Sequence, residues 1–349
     1  MELIKSIIPS DKRIYKEAEE HWNSIAKPLG SFGALEDAVK KIAAVKGTAK
    51  PDISNRTAVI MCGDHGVVCE GVTQCGSDVT AVCAKAIAEG RSNINAVCDK
   101  NNIKVIAVDV GIKSEYDSDK VINKKIRRGT NNIACEAAMT KIETQKAIAV
   151  GIDIVRQLKE KNTDIIISGE MGIGNTTSAS AIASVILGMP PEKVTGRGAG
   201  LDTEGLKRKI NAVDKAIRIN NVSQNDPYDI LKKLGGFEIA AMTGLFLGGA
   251  VYHIPVIIDG FISSVSAALA CMIQPVCSDY MLASHCSSEP AAKMLLDKCG
   301  VRPVIFADLR LGEGTGAALM IPLIDSALAL YYNSHKFDET PIERYVELK

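Results

Sequence analysis

Residues 164–180 read DIIISGEMGIGNTTSAS, and this stretch decides the fold class. Ile165, Ile166 and Ile167 form a β-branched run with no polar alternation, the pattern of a strand buried on both faces. The run enters a loop carrying Gly169, Gly172 and Gly174, and small residues then begin a helix near Thr176. A buried strand, a glycine loop and a helix make the repeating unit of a parallel α/β sheet. Free N–H groups at the helix start, with Asn175, Thr176 and Thr177, form a cradle for an anion, and glycines let the backbone come close to it. Phosphate binding is the functional reading, and a tight turn with capping hydroxyls is the plainer one. The spacing is G-x-x-G-x-G, so the dinucleotide signature G-x-G-x-x-G is missing, and so is the Walker Gly-Lys-Ser/Thr.

Outward from this stretch, four more apolar runs end in Gly- or Asp-bearing loops: 57–62, 105–108, 256–258 and 304–307. Helical patterns lie between them. Thr140 to Glu143 is a capping box followed by Ala147, Val150, Ile154 and Leu158 on one stripe. Asp202 or Thr203 caps another helix, with Leu206, Ile210, Val213 and Ile217 on one face. The alternation predicts a Rossmann-like doubly wound parallel sheet with ligands at the C-terminal strand ends. Residues 51–324 form this large α/β domain. Residues 1–50 with 325–349 are more charged and helical in pattern, and are expected to form a small helical subdomain from the chain termini.

Composition narrows the function. Lys plus Arg and Asp plus Glu are both 41, so the chain has no net pull toward nucleic acid or an anionic membrane. Aromatic residues are 4%, poor material for stacking bases. Residues 239–258 carry one His and no formal charge, but their glycines and Pro255 break them into a helix, a turn and a strand rather than a membrane span. The ten cysteines include no C-x-x-C, which points to buried, reduced thiols in a cytoplasmic protein. No ligand-spaced His/Cys cluster exists, so neither a metal nor another cofactor is expected.

Three carboxylates stand out. Asp259 is the only formally charged residue between Ile239 and Cys277, and it ends a core strand, where an Asp either works or caps the next helix. Glu313 lies among three glycines in RLGEGTG, open to whatever fills the cleft; partial desolvation would raise its pKa toward that of a general base. Glu170 is similarly placed. A second glycine loop, TGRGAGL at 195–201, precedes the capped helix, with Lys207 and Lys209 flanking its apolar stripe as candidate cations. His65 and His285 sit in glycine- or serine-rich loops.

Six stretches together resemble one family: KPLGSFGALE (27–36), GDHGV (63–67), SGEMGIGNTT (168–177), IDGF (258–261), SHCSSEP (284–290) and RLGEGTGAA (310–318). It is the nicotinate-nucleotide–dimethylbenzimidazole phosphoribosyltransferase family. The resemblance implies transfer of 5-phosphoribose from nicotinate mononucleotide to 5,6-dimethylbenzimidazole or a related aromatic base. It puts the general base on Glu313, further acidic positions on Glu170 and Asp259, and the loop lysine on Lys209. Substrate contacts fall on Gly172, Gly174, Asn175, Thr176, Thr177, Gly198, Thr73, Ser287 and Leu311. It also implies a homodimer, a paired unlike subunit being the alternative. One segment departs from the pattern: residues 72–80, often Pro-containing in such enzymes, read VTQCGSDVT, which leaves the acceptor open between benzimidazole, purine and phenol. The rivals are a non-catalytic nucleotide-binding module, which leaves Glu313 and Asp259 idle, and an NAD-dependent oxidoreductase, which lacks its glycine signature.

Overall fold

The computed structural model describes residues 2–345; the last four residues of the expected terminal subdomain, 346–349, lie outside them. Seven strands form one sheet: β1 Arg56–Gly63, β2 Ile103–Gly111, β3 Ile122–Asn123, β4 Ile165–Met171, β5 Val256–Ile258, β6 Met281–His285 and β7 Pro303–Ile305. Their order is β3-β2-β1-β4-β5-β6-β7, with every pairing parallel. The order reverses between β1 and β4. That is the switch point at which a doubly wound sheet opens a crevice beyond its strand ends.

Side chains alternate across the sheet with period two. Val59, Met61, Ile166, Val256 and Ile258 enter one apolar cluster. Ala58, Ile60, Ile165, Ile167 and Ile257 enter the other. Both faces are dry, which is why these strands carry no polar alternation. The helices Lys141–Glu160, Asn175–Leu187, Thr203–Asn220, Phe237–Tyr252 and Phe261–Ile273 cover the first face. Lys12–Ser24, Ala34–Lys46, Asp78–Ala88, Asn93–Lys100 and Thr315–Asn333 cover the second. The terminal helices therefore share an apolar cluster with the sheet. Trp22 meets Tyr331 edge-on at 5.0 Å, and Ile25 bridges to Lys336.

Thr315–Asn333 is long and apolar enough to pass for a membrane span. The helix runs unbroken through Pro322, and within it Asp325 accepts from Arg56 Nη1 at 2.9 Å at the foot of β1. Residues 239–258 form the expected helix, turn and strand.

Two expectations need correction. His285 ends a strand, β6, rather than sitting in a loop. Its sequence, MLASH, has little β-propensity, and pairing with β5 and β7 imposes the strand. The cysteines are not uniformly buried: Cys62, Cys98, Cys277 and Cys299 are, whereas Cys69, Cys75 and Cys135 are exposed in connecting segments.

The helices Lys141–Glu160 and Phe237–Tyr252 pack backbone to backbone. A Cβ on Gly244 would overlap the carbonyl oxygen of Ile148, and one on Gly151 would overlap that of Ala241. Gly244→Ala gains roughly 1 kcal/mol of helix propensity, but overpacking a rigid contact costs about 1–3 kcal/mol. A net loss of stability is expected, read as a lower denaturant midpoint at unchanged slope.

Candidate active site

A cleft with room for about 270 Å³ opens beyond the C-terminal ends of β4, β5 and β6. Its walls include Glu170, Gly172, Asn175, Thr176, Gly198, Asp259, Ser287, Leu311 and Glu313. Residues singled out from distant stretches of sequence thus meet in one place, because parallel strands deliver all their following loops to the same edge.

Glu313 sits in a tight left-handed turn. Gly312, Glu313 and Gly314 have φ of 85°, 60° and 85°. Left-handed backbone is open to glycine but disfavoured for glutamate. The turn holds because it is wedged against β4: a Cβ on Gly169 would stand 2.8 Å from the Glu313 carbonyl oxygen, and one on Gly314 would stand 3.0 Å from that of Ser168. The Glu313 carboxylate points to the start of the helix Asn93–Lys100, accepting from Ile94 N–H at 3.4 Å. Burial raises its pKa above the ordinary glutamate value, offset in part by bonds from Ile94 and Asn93.

Asp259 fixes that turn. One carboxylate oxygen accepts from Gly314 N–H at 3.1 Å and the other from Ala317 N–H at 2.9 Å, so Asp259 caps the helix Thr315–Asn333 from across the sheet. It is 3% exposed, and burial pushes its pKa up against the pull of His285 and those N–H groups. Glu170 accepts from the Asn175 amide. Burial first, then the neighbouring Asp259 and Glu238 carboxylates, push its pKa up to about 8. One cleft thus carries an acid-leaning carboxyl, Glu170, beside Glu313, a pairing suited to proton transfer.

The second glycine loop closes the other end. Lys209 is fully buried, with Nζ donating to Thr176 Oγ1 at 2.8 Å and to the Gly196 carbonyl at 3.1 Å. A Cβ on Gly198 would stand 2.9 Å from Thr176 Oγ1 and 3.2 Å from Lys209 Nζ. Both glycine loops and one ammonium therefore converge. Burial lowers the Lys209 pKa to about 8, with Glu289 opposing. Lys207 instead lies on the surface, paired with Glu204 at 2.8 Å. The helix buries Gly205, Lys209, Ala212, Val213 and Ala216; of the expected stripe only Val213 is fully buried, because the face is rotated to bring Lys209 inward.

Gly174 and Thr177 support the cleft from behind. Gly174 (φ 94°) packs against Val68 and His65, and the Thr177 hydroxyl is buried. Thr73 is not among the lining residues; its hydroxyl donates to the Cys75 carbonyl at 2.8 Å, although its neighbour Gln74 bonds the second glycine loop at Gly200. Ser287 is buried on the wall, and Leu311 is 56% exposed at the mouth. Sequence reading missed Glu238, which is completely buried beside His65, and Glu289, whose Oε1 accepts from Gly198 N–H at 3.0 Å. Glu238 precedes a long uncharged run, and a buried glutamate at a helix start was the available signal.

Comparison with known proteins agrees with this geometry. A family model described as phosphoribosyltransferase matches residues 7–342. The chain is 41% identical over 347 residues to the nicotinate-nucleotide–dimethylbenzimidazole phosphoribosyltransferase of Clostridium acetobutylicum, covering 99% of both chains. It is 43% identical to the enzyme of the same name from Ruminiclostridium cellulolyticum, covering 100% of this chain and 99% of that one. The crystal structure of CobT from Thermus thermophilus superposes with a TM-score of 0.90 at 34% identity, over 95% of this chain and 100% of that one. The carboxylates, the paired glycine loops and this likeness along the full length give one conclusion: the chain belongs to the nicotinate-nucleotide–dimethylbenzimidazole phosphoribosyltransferase family.

Proposed function

We propose that the protein transfers 5-phosphoribose from nicotinate mononucleotide to 5,6-dimethylbenzimidazole or a related lower-ligand base. The products are α-ribazole 5′-phosphate, or its analogue, and nicotinate. The observation that carries this reading is the Glu313 carboxylate, held in a strained turn at the cleft with its basicity raised by burial. Glu313 takes the ring N–H proton of the acceptor while the other ring nitrogen attacks C1′. The pyridinium of the donor is already a good leaving group, and attack opposite to it inverts β to α. The ribosyl centre becomes positively charged on the way, and the Asp259 carboxylate on the cleft wall, which accepts backbone N–H bonds on both oxygens, favours that charge. The enzyme works in the cytoplasm as a homodimer in this reading. The test is incubation with nicotinate mononucleotide and a panel of benzimidazoles, purines and phenols, with chromatography for nicotinate. Release of nicotinate that depends on no acceptor in the panel would refute it.

The donor phosphate belongs between the start of the helix Asn175–Leu187 and the Gly198 loop, with Lys209 beneath. Lys209→Ala should weaken nicotinate mononucleotide binding by about 1.5–3 kcal/mol, the worth of a bond to a charged group. The sign with pH follows from the lowered pKa: in the free protein the ammonium is lost as pH rises through about 8. Donor affinity of the parent should therefore fall above about pH 8, while the variant's stays flat. Calorimetry on either side of that midpoint checks both. Equal affinities would remove Lys209 from the phosphate site.

A further inference from the structure

Behind the cleft lies a polar chain that the proposed mechanism does not use. Ser178 Oγ is 2.9 Å from His65 Nδ1, and His65 Nε2 is 2.5 Å from Glu238 Oε1. His65 and Glu238 side chains are fully buried, and Ser178 is 0% exposed. The order Ser–His–Glu is that of a hydrolase triad, but no acyl group can reach a hydroxyl with no exposure.

Three glycines make room for this chain. A Cβ on Gly63, the last residue of β1, would stand 3.0 Å from Glu238 Oε2. One on Gly172, after β4, would stand 3.4 Å from Glu238 Oε1. One on Gly236 would stand 2.6 Å from Glu238 Oε2 and 2.7 Å from His65 Nε2. Glu238 Oε2 has no hydrogen-bond partner among the described residues. A carboxylate buried with a bare oxygen is costly, and cheaper apolar packing could fill the same space. What the polar chain provides that packing would not is a directional tie. Ser178 lies on the first turn of the helix Asn175–Leu187, next to Thr176 and Thr177. His65 follows β1, and Glu238 opens the helix Phe237–Tyr252.

We propose that Glu238 and His65 are positioning residues that tether the donor-phosphate helix through Ser178, so that its free N–H groups hold one orientation relative to β1 and β4. The placement of the donor phosphate rests on the reading given under Proposed function. The tether itself does not.

Two measurements test it. Ser178→Ala removes one hydroxyl from a helix, adds no bulk, and leaves His65 Nδ1 without its partner on that helix. In the ligand-free variant, backbone hydrogen exchange across 172–180 should quicken about three- to tenfold relative to the parent, with the rest of the sheet unchanged. In turnover, the KM for nicotinate mononucleotide should rise by about the same factor, with acceptor KM and kcat near parental values. Glu238→Ala should quicken the exchange and raise the donor KM in the same way. Its kcat is no part of the test, because the Glu238 carboxylate also raises the Glu170 pKa. In hydrogen exchange the double variant should be no worse than the worse single, since both cut one chain. If Glu238→Ala does not fold, Ser178→Ala decides alone. Unchanged exchange across 172–180 overturns the tether. So do equal rises in donor and acceptor KM. Faster exchange with an unchanged donor KM keeps the tether but removes the phosphate from that helix, a failure of the donor placement alone.

Discussion

Glu313→Gln is expected to lower kcat by about 10²–10⁴-fold, the usual range for loss of a general base. The substitution keeps size and hydrogen-bonding reach, so the turn at 312–314 should survive. Donor binding should barely move, because the phosphate site proposed above lies at the other end of the cleft, around Lys209 and Gly198. The pH profile gives a second reading. Burial raises the folded-state pKa of Glu313, so its base form is present above a midpoint higher than that of an exposed glutamate and is lost as pH falls through it. The parent's kcat/KM should show that acid limb, and the variant should lack it. The defect should shrink with acceptors whose proton is already more acidic, since less help is then needed. Near-parental turnover of the Gln variant on every acceptor would sink the role. Equal losses across acceptors of graded acidity would recast Glu313 as an electrostatic group.

Asp259→Asn should come second, through a different cause. Both oxygens of Asp259 accept backbone N–H bonds, from Gly314 and Ala317. An amide can replace only one acceptor; its NH2 then faces a backbone N–H. A buried donor without a partner costs about 1–3 kcal/mol, and the lost bonds were to a charged group. The turn carrying Glu313 loses its anchor on the Gly314 side. Displacement of a catalytic group by about 1 Å costs ~10²-fold in rate, so kcat should fall by about that factor while donor affinity holds. Thermal stability should fall as well, because the start of the helix Thr315–Asn333 loses its cap. A variant with parental melting and a large kcat loss would assign Asp259 to the reacting centre instead of to the turn.

These two carboxylates differ in what the sequence revealed. The place of Glu313 on the cleft was legible because a glutamate among glycines after a core strand is open to whatever fills it, and it lines that wall in a left-handed turn. Asp259 was legible as a residue with a task, but the task was not. Its partners lie 55 and 58 residues further on, and no periodicity reports a bond of that span. Lys209 shows the same divide. Helical spacing left it level with Lys207, and the burial that separates them depends on Thr176 and Gly196, which other segments supply.

The sequence by itself determined five of the seven strands of the sheet, all but the two-residue β3 and β6, and the location of the cleft. Apolar runs ending in glycine loops encode buried parallel strands, and parallel strands can only send their loops to one edge, so the cleft follows from the pattern. Local chemistry likewise set the capping box at Thr140, which forms as read, and a cap at Asp202 or Thr203, of which the structure uses Asp202. Tertiary structure alone decided β6, whose residues have little intrinsic preference for a strand and take one from their neighbours. It alone placed Glu238 against His65, and Asp259 under the Glu313 turn. Burial, hydrogen-bond partners and pKa shifts depend on atoms brought together from distant parts of the chain, whereas strand and helix patterns depend on a few consecutive side chains.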